Sequence, residues 1–112
     1  MQRFKPYLHR PLVVDRLQDT EHLAALKVRG RWIPDPIEEF DEIDLALPLD
    51  DDRDLVITLA LEQGELKRMQ LGWAPPGDDD ADTRAFPEEE LATVLEEKGA
   101  DLVHLLEYLF GA

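Results

Sequence analysis

Between residues 43 and 73 the chain repeats one period in successive segments, and this constrains the fold more than anything else in it. Ile43, Leu45, Leu47 and Leu49 alternate with Asp44, Ala46 and Pro48, and Leu55, Ile57, Leu59 and Leu61 follow with Val56 and Ala60 between them. A further segment runs from Leu66 to Trp73. Side chains on a strand point alternately to opposite faces, so each segment predicts a strand with a buried side. The second is the most apolar and reads as central. Asp50 to Asp54 (DDDRD) forms a tight acidic turn between the first two, and Glu62-Gln63-Gly64-Glu65 reads as a hairpin connection in which Gly64 supplies a positive φ.

The flanks are less regular. Residues 3 to 18 are interrupted by Pro6 and Pro11 and read as an extended edge segment, then a short strand or turn near Leu12 to Leu17. Asp19 or Thr20 suits the cap of a short helical turn through Glu21, Leu23 and Leu26. The stretch LKVRGRWI then predicts a strand with Leu26, Val28 and Trp32 on one face and Lys27, Arg29 and Arg31 on the other. Cross-strand pairing of this basic stripe with Asp44 is the ordinary expectation. Pro34 and Pro36 end the strand, and Asp35 followed by Glu38 has capping-pair spacing, predicting one helical turn over Ile37 to Glu42.

Ala74 to Ala85 reads as a loop. After it, Pro87 fits a first helical position, Glu88, Glu89 and Glu90 suit the positive end of a helix dipole, and Leu91, Val94 and Leu95 face inward. Gly99 reads as a stop, and a second helix beyond Asp101 carries Leu102, Leu105, Leu106 and Leu109. The chain is therefore expected to be a single small acidic domain, residues 1–112, of the α+β class. Its architecture would be an antiparallel sheet of about four or five strands with two C-terminal helices packed on one face.

Charge is distributed unevenly along this framework. Residues 1 to 31 hold seven Lys/Arg against three Asp/Glu, whereas residues 32 to 112 hold five against twenty-three, within a total net charge of −14. Such a surface repels phosphates and anionic lipid headgroups and attracts basic partners. No direct nucleic-acid or membrane partner is expected, because no apolar run approaches the roughly 18 residues of a membrane span. Met1 to Arg10 lacks the apolar stretch of a signal peptide, so the expected compartment is the cytoplasm. The absence of Ser and Asn and the excess of Asp over Lys admit a compositional origin for the acidity as well as a functional one.

The inventory of reactive groups points away from catalysis. There is no cysteine and no serine, so the common acyl-transfer nucleophiles and thiolate metal sites are missing. His9, His22 and His104 match no metal or triad spacing, and the glycines lie singly rather than in a phosphate-cradling loop. Asp78, Asp80, Asp82 and Glu89 occupy positions 1, 3, 5 and 12 of a calcium-loop spacing, but Thr83 stands where that loop turns on Gly, and APPG cannot be an incoming helix. They are weak metal candidates, and no cofactor is expected.

The leading expectation is a non-catalytic interaction protein that occupies a basic surface of another macromolecule, as an inhibitor, an antitoxin or immunity-type protein, or a nucleic-acid mimic does. Glu38, Glu39, Asp41, Glu42, Asp78, Asp79, Asp80 and Asp82 would steer association, and Trp32, Trp73 and Phe86 would anchor it. The alternatives are a ligand-binding or enzymatic pocket between sheet and helices lined by Trp73, and a calcium-dependent module through residues 78–89. Self-association as a homo-oligomer stays open, because the last helix ends Leu-Phe-Gly-Ala.

Overall fold

The computed structural model describes residues 2–77 and 81–111 and is built on one antiparallel sheet. Its strands are β1 (Arg29–Trp32), β2 (Glu42–Pro48), β3 (Asp54–Glu62) and β4 (Glu65–Ala74), and their order in space is their order in the chain. The register sets Ile43, Leu45 and Leu47 opposite Leu59, Ile57 and Leu55, and sets those in turn opposite Met69, Leu71 and Trp73. Alternation in sequence thus becomes rows of apolar side chains on one face. The β3–β4 turn has Gln63 and Gly64 at φ of 54° and 77°, the left-handed pair that matches the twist of a two-residue hairpin.

One helix covers the apolar face, where two were expected. It runs unbroken from Glu88 to Phe110 (23 residues), preceded by the short helices α1 (Val14–Leu17) and α2 (Thr20–Ala25), and is α3 here. Gly99 does not stop it. Leu91, Val94, Lys98, Leu102, Leu105 and Leu109 follow one another at spacings of three and four, so the inward stripe keeps its phase across the glycine. Gly99 is buried, and the side chain of Arg3 occupies the place its Cβ would take. Here the glycine admits a neighbour instead of ending a helix. Leu102, Leu105, Leu106 and Leu109 are each at most 1 % exposed, a burial worth about 1.5–3 kcal/mol per side chain.

The N-terminal segment is helical on either side of a short stretch, residues 9–12, that bonds along the edge of β4. Residues Gln2–Tyr7 form a 3-10 turn despite Pro6, because Phe4 and Tyr7, three residues apart, lie on one side of a helix with three residues per turn and are both buried. Asp19 caps α2 by accepting from the His22 N–H at 3.1 Å. This segment docks on the far end of α3: the Val13 N–H donates to the Leu109 carbonyl (2.9 Å), Arg16 Nη1 to the Tyr108 carbonyl (2.8 Å) and the Tyr7 hydroxyl to Glu107 Oε1 (3.1 Å). Burial, and then the Glu107 carboxylate, push the Tyr7 phenol above its ordinary range.

The opposite face of the sheet is small and partly covered. Ala46, Val56, Gly72 and Ala74 are buried there, and the Trp73 and Arg84 backbones exchange two 2.8 Å hydrogen bonds that lay residues 83–84 against the sheet. Gly72 is required at this crossing: a Cβ there would meet the Thr83 methyl and, at 2.8 Å, the Arg84 carbonyl oxygen. The apolar face between sheet and α3 is filled by side chains, and the clefts of the described residues lie at the perimeter.

Candidate interaction surface

The end of the sheet at the β3–β4 turn is built from the segment the sequence assigned to a helical turn. Residues 37–41 are not helical. The Asp41 carboxylate accepts the Glu38 N–H at 2.7 Å, while the Asp41 and Glu39 carbonyls accept from the Leu61 N–H (2.8 Å) and the Gly64 N–H (3.1 Å). Partners on the neighbouring hairpin replace the bonds a helical turn would have made internally. The segment is thereby fixed at both sides of Phe40, yet Phe40 itself is 66 % exposed.

Around that ring the surface is acidic with an apolar cleft beside it. Glu38, Glu39 and Glu42 are exposed, and Glu62 and Glu65 flank the adjoining turn. Glu62 lies 3.2 Å from Lys67 and Glu42 lies 3.5 Å from Arg68, both pairs between half-exposed side chains, where such contacts contribute about 0–1 kcal/mol. Among the described residues, Glu38 and Glu39 make no ion pair. A cleft of about 190 Å³ opens next to them, floored by Leu12, Ile37, Leu61 and the partly exposed Val14.

The other residues singled out from sequence are dispersed. Trp32 is 66 % exposed at the end of β1, opposite Asp44. Trp73 is half-buried, with the guanidinium carbons of Arg53 and Arg84 at 5.1 and 5.2 Å from its ring centroid. Phe86 is buried, and Arg53 also lies over its ring at 5.5 Å. Arg53 further joins Asp51 and Glu90, tying the 50–53 turn to the first turn of α3. Hydrogen bonding from Arg53 holds the Asp51 carboxyl below the usual carboxylate range. Asp78, Asp79 and Asp80 lie outside the described residues. Asp82 and Glu89 are exposed, and among the described residues no group of three or more His, Asp or Glu is placed to hold a metal ion.

The basic stripe is also rearranged. Lys27 stands before β1 in a left-handed turn (φ 63°), so it is not on the strand face with Arg29 and Arg31. Asp44 bonds Thr58 Oγ1 at 2.8 Å and not a cation. Arg29 reaches across β2, over the small Ala46 opposite it, to Asp54 on β3 at 2.8 Å. Asp54, 8 % exposed, also accepts the Gly77 N–H. Phe40 and Asp54 are the residues that sequence reasoning passed over. Phe40 had one available signal: an aromatic set inside an acidic run, with a glutamate two residues away on either side.

No helix among the described residues is long and apolar enough to cross a membrane. Comparison with family models, with curated proteins and with solved structures gave no match.

Proposed function

We propose that this protein is a non-catalytic binding protein, and that its 37–42 end receives a basic segment of another macromolecule carrying an apolar side chain. The occupied surface of the partner would be blocked, in the manner of an inhibitor, an immunity-type protein or a nucleic-acid mimic, in an aqueous compartment such as the cytoplasm. One observation carries the reading: Phe40 is two-thirds exposed although the backbone on both sides of it is hydrogen-bonded to the sheet. An aromatic held still on the surface loses little entropy on binding, which is the condition for an anchor. Glu38 and Glu39, with no cation of their own, supply the complementary charge that selects and steers a basic partner. The neighbouring cleft beside Val14 and Ile37 accepts an aliphatic side chain.

The test is photo-crosslinking in the producing cell with p-benzoylphenylalanine placed at Phe40 and, as a control, at the exposed Thr93 on α3. The expected result is a discrete adduct from position 40 alone, whose attached peptide is rich in Lys or Arg. Phe40→Ala should weaken the purified pair at least tenfold, and Glu38→Gln with Glu39→Gln should flatten its salt dependence. Identical adducts from both positions, or an acidic attached peptide, would refute the proposal.

A further inference from the structure

The two edges of the sheet are treated differently. The outer side of β4 is covered at both ends: the His9 N–H donates to the Leu66 carbonyl (2.8 Å), the Leu66 N–H to Arg10 (3.0 Å) and the Leu12 N–H to Gly64 (3.0 Å), while Arg84 pairs with Trp73 at the other end. Along the outer side of β1, no backbone hydrogen bond from another segment reaches Gly30, Arg31 or Trp32 among the described residues. A strand with one neighbour turns alternate N–H and C=O groups outward, ready to pair.

Beside that edge, α2 packs near the strand but leaves a gap between them. The gap is a groove of about 380 Å³ with Leu23, Ala24, Val28 and Ile33 on its walls and the backbone of Arg29 to Arg31 along one side. An extended chain laid in such a groove bonds the strand edge with its backbone and puts every second side chain between strand and helix. The bulge between Gly30 and Trp32 keeps the available ladder short, so the apolar groove must supply much of the contact.

Charge identifies the occupant. Among the described residues, Arg31 donates to the Thr83 hydroxyl and the Ala81 carbonyl, neither of which is an anion, and Lys27 makes no ion pair. Two cations with no anionic partner among the described residues therefore border this edge in a chain whose net charge is −14. A second copy paired antiparallel through β1 would bring those cations onto each other, which is unfavourable. We propose that the β1 edge and the α2 groove take up an extended segment of a partner protein as a fifth strand, with an apolar side chain seated in the groove and carboxylates facing Lys27 and Arg31. This surface is separate from the Phe40 end, and the inference does not depend on the function proposed above.

The probe is a fluorescein-labelled peptide of alternating valine and glutamate, compared with its valine–lysine counterpart by anisotropy and by amide chemical shifts of the intact protein. Saturable binding of the glutamate peptide is expected, with shifts concentrated at residues 28–33 and at Leu23, and at least tenfold weaker binding of the lysine peptide. Ala24→Arg, at an exposed helix position, should reduce affinity at least tenfold by filling the groove, and N-methylation of alternate peptide amides should abolish binding without altering the protein. Lys27→Gln with Arg31→Gln should erase the preference for glutamate. Equal binding of both peptides, binding that survives N-methylation, or an absence of shifts along β1 at millimolar peptide would overturn the proposal. So would concentration-dependent dimerisation lost in Ala24→Arg, which would make a second copy the occupant.

Discussion

Two acidic pentapeptides in this chain, DDDRD at 50–54 and EEFDE at 38–42, have nearly the same composition and opposite fates. In the first, the odd residue is Arg53. It draws in Asp51 and Glu90 and lies over Trp73 and Phe86, and the last aspartate of the run is buried against Arg29. In the second, the odd residue is Phe40, which offers carboxylates nothing, and Glu38 and Glu39 remain turned to solvent. An acidic run that holds its own cation works inside the fold, and one that holds an aromatic instead is left facing solvent. Net charge does not separate the two; the companion residue does.

The largest effect should come from the buried member of the first run. Asp54→Ala removes the carboxylate that Arg29 and the Gly77 N–H share and is expected to cost about 2 kcal/mol, below the range for fully buried pairs because Arg29 is partly exposed. Urea unfolding measures this, and a loss under 0.5 kcal/mol would show that the first run is as peripheral as the second. Arg53→Ala should follow at about 1 kcal/mol, the sum of modest stacking and ion-pair contributions, with near-ultraviolet dichroism reporting loosened packing at Trp73. Phe40→Ala should change stability by no more than about 0.5 kcal/mol, as for surface substitutions away from structural features, despite the loss of binding proposed for it.

The subtlest contrast is in acid. Asp51 is held below the ordinary carboxylate range by Arg53, so the folded state binds its proton less readily than the unfolded chain does. Its contribution is present above the unfolded value of about 4 and disappears as pH falls through the lower folded value. The stability difference between the native protein and Asp51→Asn should therefore shrink to nothing in strong acid. A difference that persists unchanged at pH 2 would contradict the Arg53 contact.

What was legible in the sequence depended on how far away the deciding neighbour lies. The β2–β3–β4 meander could be read from alternation, and the Gln63–Gly64 turn from its glycine, since period and turn chemistry are properties of adjacent residues. The Asp19 cap was readable for the same reason. Gly99 misled because its local meaning, a helix stop, was overruled by Arg3, ninety-six positions earlier in the chain. The helical turn over 37–42 failed because Leu61 and Gly64 took the backbone partners it needed. Of the candidate surface, the carboxylates were named and Phe40 was not: an exposed phenylalanine is recognised only when the folded surroundings leave it uncovered.

The strand order has a bearing on how this surface comes into being. Because every strand pairs with its immediate predecessor, the sheet is made of short-range contacts, the kind that form early and fast. The bonds that hold Phe40 in place reach only to Leu61 and Gly64, whereas the N-terminal segment locks onto α3 across separations as long as 100 residues. The backbone bonds that seat Phe40 are thus in place as soon as β2 meets the β3–β4 hairpin. A nascent chain, or one whose ends have come loose, would already display Phe40 and its flanking carboxylates before the rest of the domain has closed.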